Sequence, residues 1–328
     1  MTAYVVSKTP FRISLFGGGT DMPEYFSRHT FGQVLSTAIS RAIYIHVKRR
    51  SDGAILYRDN SDEVYAENSK VLQCGRLKAC LEYLNIRDGV EIQSQSDLPR
   101  KGSGLGGSSS FCVGLLNALS RLFNVKLSAH DLALGAYHIE RHVLGESVGM
   151  QDQAAAAFGG IRHYKFFHDN HICADKISSL WLSGVLNKCL VYSTGASRSA
   201  NAVLADQAMR MSSPQGLSSM NDLFNSVSVA LEAIEARDLP RLGTICHEGW
   251  MAKRSLTPLI SSPFIDEMYD IGIRAGAFGG KLLGAGGGGY LIFLVDPATR
   301  NSVMRALEKY SRLVCGFGSK GSITIRYG

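Results

Sequence analysis

The stretch Leu98–Phe111, LPRKGSGLGGSSSF, decides how this 328-residue chain is read. Four glycines (102, 104, 106 and 107) and four serines (103, 108, 109 and 110) crowd the place where an extended segment turns into a helix. Ahead of it, Val90–Ser96 alternates apolar and polar side chains like a half-buried strand, and behind it Phe111–Phe123 is a largely apolar helix. Glycine backbone takes positive φ and lets a ligand come close, while the free N–H groups and dipole at a helix start favour negative charge. The segment is an anion site suited to a phosphate chain. Hydroxyls at Ser108, Ser109 and Ser110 are placed to bond phosphate oxygens or to reach a Mg²⁺ held on them.

Other glycine-rich loops fit less well. Gly102, Gly104 and Gly107 spell G-x-G-x-x-G, but the acidic residue of a dinucleotide fold is not evident on a second strand. A P-loop has lysine after its last glycine, where Ser108 stands. The H-R-D and D-F-G signatures of protein kinases do not occur in the sequence. A plain helix-capping turn needs one or two glycines rather than four.

With 45% hydrophobic and 19% charged residues, the chain has the material for about two globular domains with proper cores. Its seven cysteines (74, 80, 112, 173, 189, 246 and 315) are odd in number, lack C-x-x-C spacing and mostly sit in apolar runs, as buried thiols of a reducing compartment do. The opening MTAYVVSKTPFRISLF is too polar for a signal peptide, and no run approaches ~18 apolar residues, so a soluble cytoplasmic protein without a membrane partner is expected. The net charge of +7 is spread along the chain and suits anionic small molecules. No basic block with interleaved aromatics points to nucleic acid.

The first half reads as strand-rich. Ala3–Phe16 holds two short extended runs broken at Pro10, Gln33–Ile39 and Ala42–Lys48 alternate, and Ala54–Arg58 follows an Asp52-Gly53 turn. Leu77–Leu84 is helical. Ser128 with Asp131 is an N-cap signature opening a helix through Tyr137, Glu140 and Arg141 to a stop near Gly145. Ile161–Phe166 is a strand and His168–Asp175 a polar connection. Past a boundary near residue 180, strands at Lys188–Ser193, Gly279–Gly284, Tyr290–Val295 and Ser322–Tyr327 combine with helices at Ala200–Met211, Ser218–Ala236, Leu239–Lys253, Phe264–Ala275 and Asn301–Tyr310. That order reads as an α+β sandwich of ferredoxin-like type, giving domains 1–180 and 181–328.

Two further glycine clusters bracket this plan. Gly17, Gly18 and Gly19 lead into Thr20 and Asp21 in FGGGTD, a setting for backbone against a ligand with polar side chains to read its hydroxyls, or for a helix N-cap. KLLGAGGGGY, Lys281–Tyr290, lies between two strands and has five glycines, more than a hairpin loop needs. Between them, Gly145–Gly160 sets Asp152 among Gln151, Gln153 and alanines. Asp152 is the candidate to orient or deprotonate an attacking hydroxyl, with a helix N-cap as the plain alternative. Glu140 is a candidate Mg²⁺ ligand or a solvated helix residue.

In this order, TPFRISLFGGGTD, LPRKGSGLGGSSS, GMQDQ and KLLGAGGGGY resemble the motifs of the GHMP superfamily of small-molecule kinases, and the resemblance spans the chain. It implies a two-domain α+β fold, an N-terminal ATP-binding domain like the second domain of ribosomal protein S5 and a ferredoxin-like C-terminal domain. It also implies ATP and Mg²⁺ as cofactors. Carried over by motif, Lys101, Gly102, Ser103, Gly104, Leu105, Gly106, Gly107, Ser108 and Ser109 would wrap the ATP phosphates, and Ser108 with Glu140 would hold the metal. Asp152 would be the base and Arg12 its basic partner. The substrate would meet Gly17, Gly18, Gly19, Thr20, Asp21, Gly286 and Gly287.

The pattern departs from galactokinase, since Gly18 and Gly19 stand where that enzyme has Glu and His. The GGGTD and GLGGSSS forms and YSTGASR, Tyr192–Arg198, look most like the D-glycero-D-manno-heptose 7-phosphate kinases. These phosphorylate an anomeric hydroxyl on the route to GDP-heptose for capsule or surface polysaccharide. A distal phosphate calls for cationic or hydroxyl partners, for which Ser197, Arg198, Lys253 and Arg254 are candidates, with Thr194 and Gly195 at a turn nearby; each could equally be a surface charge. The expected partners are ATP and a small sugar phosphate, with a second copy of the chain as a candidate. A fucokinase-like or hexose kinase is the nearest alternative and would need no distal phosphate site. A non-catalytic sensor on the same fold would bind without turnover.

Overall fold

The computed structural model describes residues 4–60, 62–100, 102–196, 200–211 and 213–327. Its first half runs β1 (Tyr4–Phe16), α1 (Pro23–Phe26), β2 (Gly32–Arg49), β3 (Ile55–Arg58), β4 (Glu63–Ala66), α2 (Gly75–Tyr83), β5 (Val90–Ser96), α3 (Gly107–Leu122), α4 (Ala129–His138), α5 (Gln151–Phe158), β6 (Ile161–Phe166) and β7 (Ile172–Lys176). The second half runs α6 (Leu180–Lys188), β8 (Leu190–Ser193), α7 (Ala200–Arg210), α8 (Pro214–Glu235), α9 (Leu239–Leu256), α10 (Pro263–Arg274), β9 (Ala277–Leu282), β10 (Tyr290–Val295), α11 (Arg300–Ala306), β11 (Arg312–Leu313) and β12 (Ile323–Tyr327). No helix among the described residues is long and apolar enough to cross a membrane.

Two sheets organise the chain. The first follows the order β12-β1-β2-β5-β3-β4, with β6 and β7 branching from β2. Strand β2 is long enough to change partners: Gly32–Thr37 pairs with β6 and Ile43–Arg49 with β5. The second sheet is antiparallel in the order β11-β8-β10-β9. Side chains such as Phe11, Ile43, Leu115 and Ala156 build one core, and Trp250, Met268, Tyr269 and Phe293 anchor the other.

Several expectations change. Pro10 does not divide the first strand; the ladder to β2 shifts register between Pro10 and Arg12, where proline offers no N–H. The amide of Arg12 is thereby free to reach Leu105 O at 3.0 Å, which ties the glycine loop to β1. The helix after the loop starts at Gly107 rather than Phe111, so its serines lie in the first turn. Ser128 and Asp131 form the capping box, but the α-helix ends at His138 and widens into a π-type turn over Ile139–Val143, which positions Glu140. The His168–Asp175 segment includes an edge strand, β7, and α6 is a helix that alternation did not reveal. The last strand does not complete the second sheet. Ile323–Tyr327 pairs with Lys8–Tyr4 of β1, and the two-residue β11 takes the place expected for it, because alternation announces a strand and says nothing of its neighbour.

Candidate active site

The three glycine clusters border one cavity, and the second and third touch. Gly104, at φ +70°, lies so near the third cluster that a Cβ would run into the carbonyl oxygen of Leu283, and a Cβ on Gly284 would stand 2.5 Å from Gly104 Cα. Two backbones in contact leave no room for side chains, which explains the number of glycines better than a hairpin does. The β9–β10 loop is a hairpin loop and also the support on which the glycine loop of residues 102–107 rests.

Below this contact, Arg12 holds Asp152. Its Nε donates to Oδ1 at 2.7 Å, its Nη2 to Oδ2 at 2.6 Å, and its Nη1 to Gly104 O at 2.7 Å. The arginine side chain is 5% exposed and the carboxylate 29%; both border the open space, and the aspartate presents more of its surface to it. Such a two-pronged pair fixes orientation as well as charge. Asp152 makes no side-chain cap for α5, which removes the capping alternative. Gln151 is set by Ser14, whose hydroxyl donates to Oε1 at 2.8 Å.

Asp21 is buried beside this pair. Its oxygens accept from the amides of Gly19 at 2.9 Å and Gln151 at 3.1 Å, and a Cβ on Gly149 would strike its Oδ2. Burial, and then the charge of Asp152, push its carboxyl above the usual range. Glu140, fully buried, accepts from Ser109 Oγ at 2.7 Å and Gln153 Nε2 at 2.6 Å on Oε2, and from Arg76 Nη2 at 3.2 Å on Oε1. Burial raises its carboxyl, and the Arg76 charge opposes the shift.

Arg12, Asp21, Ser109, Glu140, Gln151 and Asp152 line one cavity of about 620 Å³, together with Gly18, Gly19, Gly102, Ser103, Gly106, Gly107 and Ser108. A hollow of about 320 Å³ adjoins it at Arg100, bounded by Asp59, Asn60 and Ser94–Pro99. Other expected site residues are placed elsewhere. Leu105 is core and contributes its carbonyl. Gly17 and Thr20 shape the loop from behind, where Thr20 Oγ1 donates to Gln33 O at 2.7 Å. Thr194 donates its hydroxyl to Gly289 O at 3.0 Å, Gly195 is outside the cavity wall, and Gly286 and Gly287 lean on Ile260. Arg254 pairs with Asp266 at 3.0 Å away from the cavity, whereas Lys253 is in its wall. Lys101, Ser197 and Arg198 lie outside the described residues.

The sequence reading passed over one wall entirely. Helix α7 contributes Asn201, Leu204 and Gln207, and α2 contributes Arg76, which also pairs with Glu146 at 2.6 Å. Gln207 is fully buried with Oε1 unpartnered among the described residues, and a Cβ on Gly19 would meet its Nε2 at 2.8 Å. A lone glutamine in a helix has no local signature. Only the third glycine of GGGTD, making room for it, hints at a neighbour.

A glycine-rich helix start, a carboxylate and hydroxyl donors that border one cavity suit a small-molecule kinase. Comparison with known proteins gives the family. Residues 71–160 match the GHMP kinases N terminal domain and residues 230–312 the GHMP kinases C terminal domain. The chain is 31% identical to D-glycero-alpha-D-manno-heptose 7-phosphate kinase of Campylobacter jejuni, over 95% of both chains. It superposes on a D-glycero-D-manno-heptose 1-phosphate kinase of Bacteroides thetaiotaomicron with TM-score 0.81 and 25% identity over 98% of both chains. Lactococcus lactis galactokinase shares the fold, with TM-score 0.79 at 18% identity over 98% of this chain and 95% of that one. The chain belongs to the GHMP kinase family and is an ATP-dependent sugar kinase with the two-domain fold of that family.

Proposed function

We propose that the sugar is D-glycero-D-manno-heptose 7-phosphate and the product its 1,7-bisphosphate, made in the cytoplasm for GDP-heptose and capsule or surface polysaccharide. The observation behind this reading is the full-length similarity to the Campylobacter jejuni enzyme. In this reading residues 1–180 form the ATP-binding domain and 181–328 the C-terminal kinase domain, with β12 returned to the first sheet. The ATP phosphates lie along 102–109 against the N-terminus of α3, and the nucleoside enters the hollow beside Arg100. The anomeric hydroxyl is set against Asp152, which takes its proton or orients it, while Arg12 keeps the carboxylate in place. Arg198, two residues ahead of α7 in the sequence, is the distal-phosphate candidate.

Mg²⁺ fits the donors present. Glu140 Oε1 keeps only its longer contact to Arg76, and Ser108 lies in the first turn of α3 in the same wall. No group of three or more His, Cys, Asp or Glu side chains suited to a metal occurs among the described residues, so phosphate and water would complete the shell, as Mg²⁺ prefers. When bound, the ion would neutralise charge on the ATP phosphates.

The test is ATP consumption with Mg²⁺ against heptose 7-phosphate, free heptoses, mannose, fucose and galactose. Preference for the 7-phosphate with a bisphosphate product is expected. Preference for a free sugar would keep the kinase and discard the distal phosphate, as a fucokinase-like enzyme requires.

A further inference from the structure

Lys253 brings into the cavity wall a charge that has no carboxylate partner of its own among the described residues. It is 6% exposed, and among the described residues its ammonium makes one hydrogen bond, to Gly284 O at 2.5 Å. An ammonium has three donors, so two have no acceptor. A charge buried without a counterion costs several kcal/mol, relieved by losing the proton or gaining an anion. The charges that act on it are Lys281 and Arg12, which repel, and Asp21 and Asp152, which attract. Both carboxylates are already engaged, Asp152 by Arg12 and Asp21 by two backbone amides. The remaining place for an anion is the cavity.

The position relative to the phosphate loop narrows which anion. Lys253 is fastened to Gly284 and Arg12 to Gly104, and these two glycines are the ones in backbone contact. The two cations therefore attach to opposite halves of one backbone contact. We propose that Lys253 is a second catalytic cation, donating to a non-bridging oxygen of the phosphoryl group as it passes from ATP to the sugar. The bond from the γ-phosphorus to the sugar oxygen forms as the bond to the β,γ-bridging oxygen breaks, ADP departs with that electron pair, and the hydroxyl proton leaves by way of Asp152. Lys253 keeps its proton throughout. The proposal rests on transfer at Asp152 and on no particular sugar.

Burial, then Lys281, pull the Lys253 pKa down to about 7, so in the free enzyme the ammonium is lost as pH rises past neutrality. The proposal is tested with Lys253→Met, assayed with MgATP on heptose 7-phosphate and on the best unphosphorylated sugar. The expected result is kcat lowered about 10²–10³-fold on either acceptor, the usual cost of removing one transition-state donor, with acceptor KM within about threefold. The decline of kcat/KM for ATP above about pH 7 in the parent should vanish in the variant, since that profile reports the free enzyme. The unliganded variant should melt at the parent's temperature or higher. A loss confined to the KM of the phosphorylated acceptor would hand Lys253 to the distal phosphate and overturn the proposal. So would kcat within about threefold on both acceptors, or a melting temperature several degrees lower, which would make Lys253 a structural tie. Should heptose 7-phosphate prove inert with the parent, the substrate reading fails and the free-sugar arm still tests Lys253.

Discussion

The end of the cavity around Asp152, its proposed reacting end, and the wall that α7 supplies are built on different rules. At the reacting end, Arg12 makes three hydrogen bonds, Asp152 is gripped by two of them, and the glycine loops touch backbone to backbone. Along α7, Gln207 has an amide oxygen with no partner among the described residues and a long contact from Nε2 to Met220 Sδ at 4.0 Å. Arg12 and Asp152 satisfy each other without a ligand, whereas Gln207 keeps a buried oxygen without a partner among the described residues. Under the proposed function, the chemistry is held by backbone and by paired charges, and the sugar is read by side chains whose hydrogen bonds are unfilled.

The sharpest way to break this comparison is Asp152→Asn. The amide keeps the size but takes no proton and loses the ionic grip of Arg12. We expect kcat to drop about 10³-fold with ATP binding retained, and the melting temperature to fall by several degrees because Arg12 keeps a buried charge without its counterion, from steady-state kinetics, nucleotide titration and thermal melts. Activity within about tenfold of the parent would remove Asp152 from the chemistry.

Gly104→Ala tests whether the backbone contact is as tight as drawn. Positive φ costs an L-residue about 1–2 kcal/mol, and the new methyl would collide with Leu283 O. The ATP KM should rise and kcat fall, together about a hundredfold in kcat/KM, with several degrees lost in melting temperature. An unchanged ATP KM would mean that the third cluster does not support the loop.

Gly149→Ala acts where the two regions join. Its methyl would displace the Asp21 carboxylate from the Gly19 and Gln151 amides, which under the proposed function face the sugar. The acceptor KM should increase about thirtyfold with the ATP KM unchanged. Equal effects on both substrates would place Asp21 with the reacting end.

The same contrast governs what the sequence could tell. The reacting end is written in short contiguous runs, since a backbone that must bend or touch has to be glycine wherever it does so, and Arg12, Asp152 and the loop were therefore legible. Even there the details were not: the register shift at Pro10 that frees Arg12 N–H depends on a partner strand, and Ser109 rather than Ser108 meets Glu140 because the helix begins at Gly107. Strand β12 alternates visibly, yet its pairing with β1 is a matter of the whole topology. The α7 wall was silent because Asn201, Leu204 and Gln207 are ordinary helix residues until the tertiary fold turns them toward a cavity.

The smallest expected effect bears on that silent wall. Leucine is close to glutamine in size, so Gln207→Leu removes the amide and leaves the packing. A purely structural Gln207 would gain from the exchange, because a buried oxygen without a partner costs roughly 1–3 kcal/mol and its loss should raise the melting temperature. A Gln207 that receives a sugar hydroxyl should show the same thermal gain together with an acceptor KM about tenfold higher, the ATP KM within about twofold, and lost discrimination against one monodeoxy analogue of the acceptor. The deoxy scan is decisive because it identifies the hydroxyl that the parent reads and the variant ignores. If the parent and Gln207→Leu rank the analogues alike, the α7 wall recognises the sugar by shape, and the contrast between the two regions is one of packing rather than of unfilled hydrogen bonds.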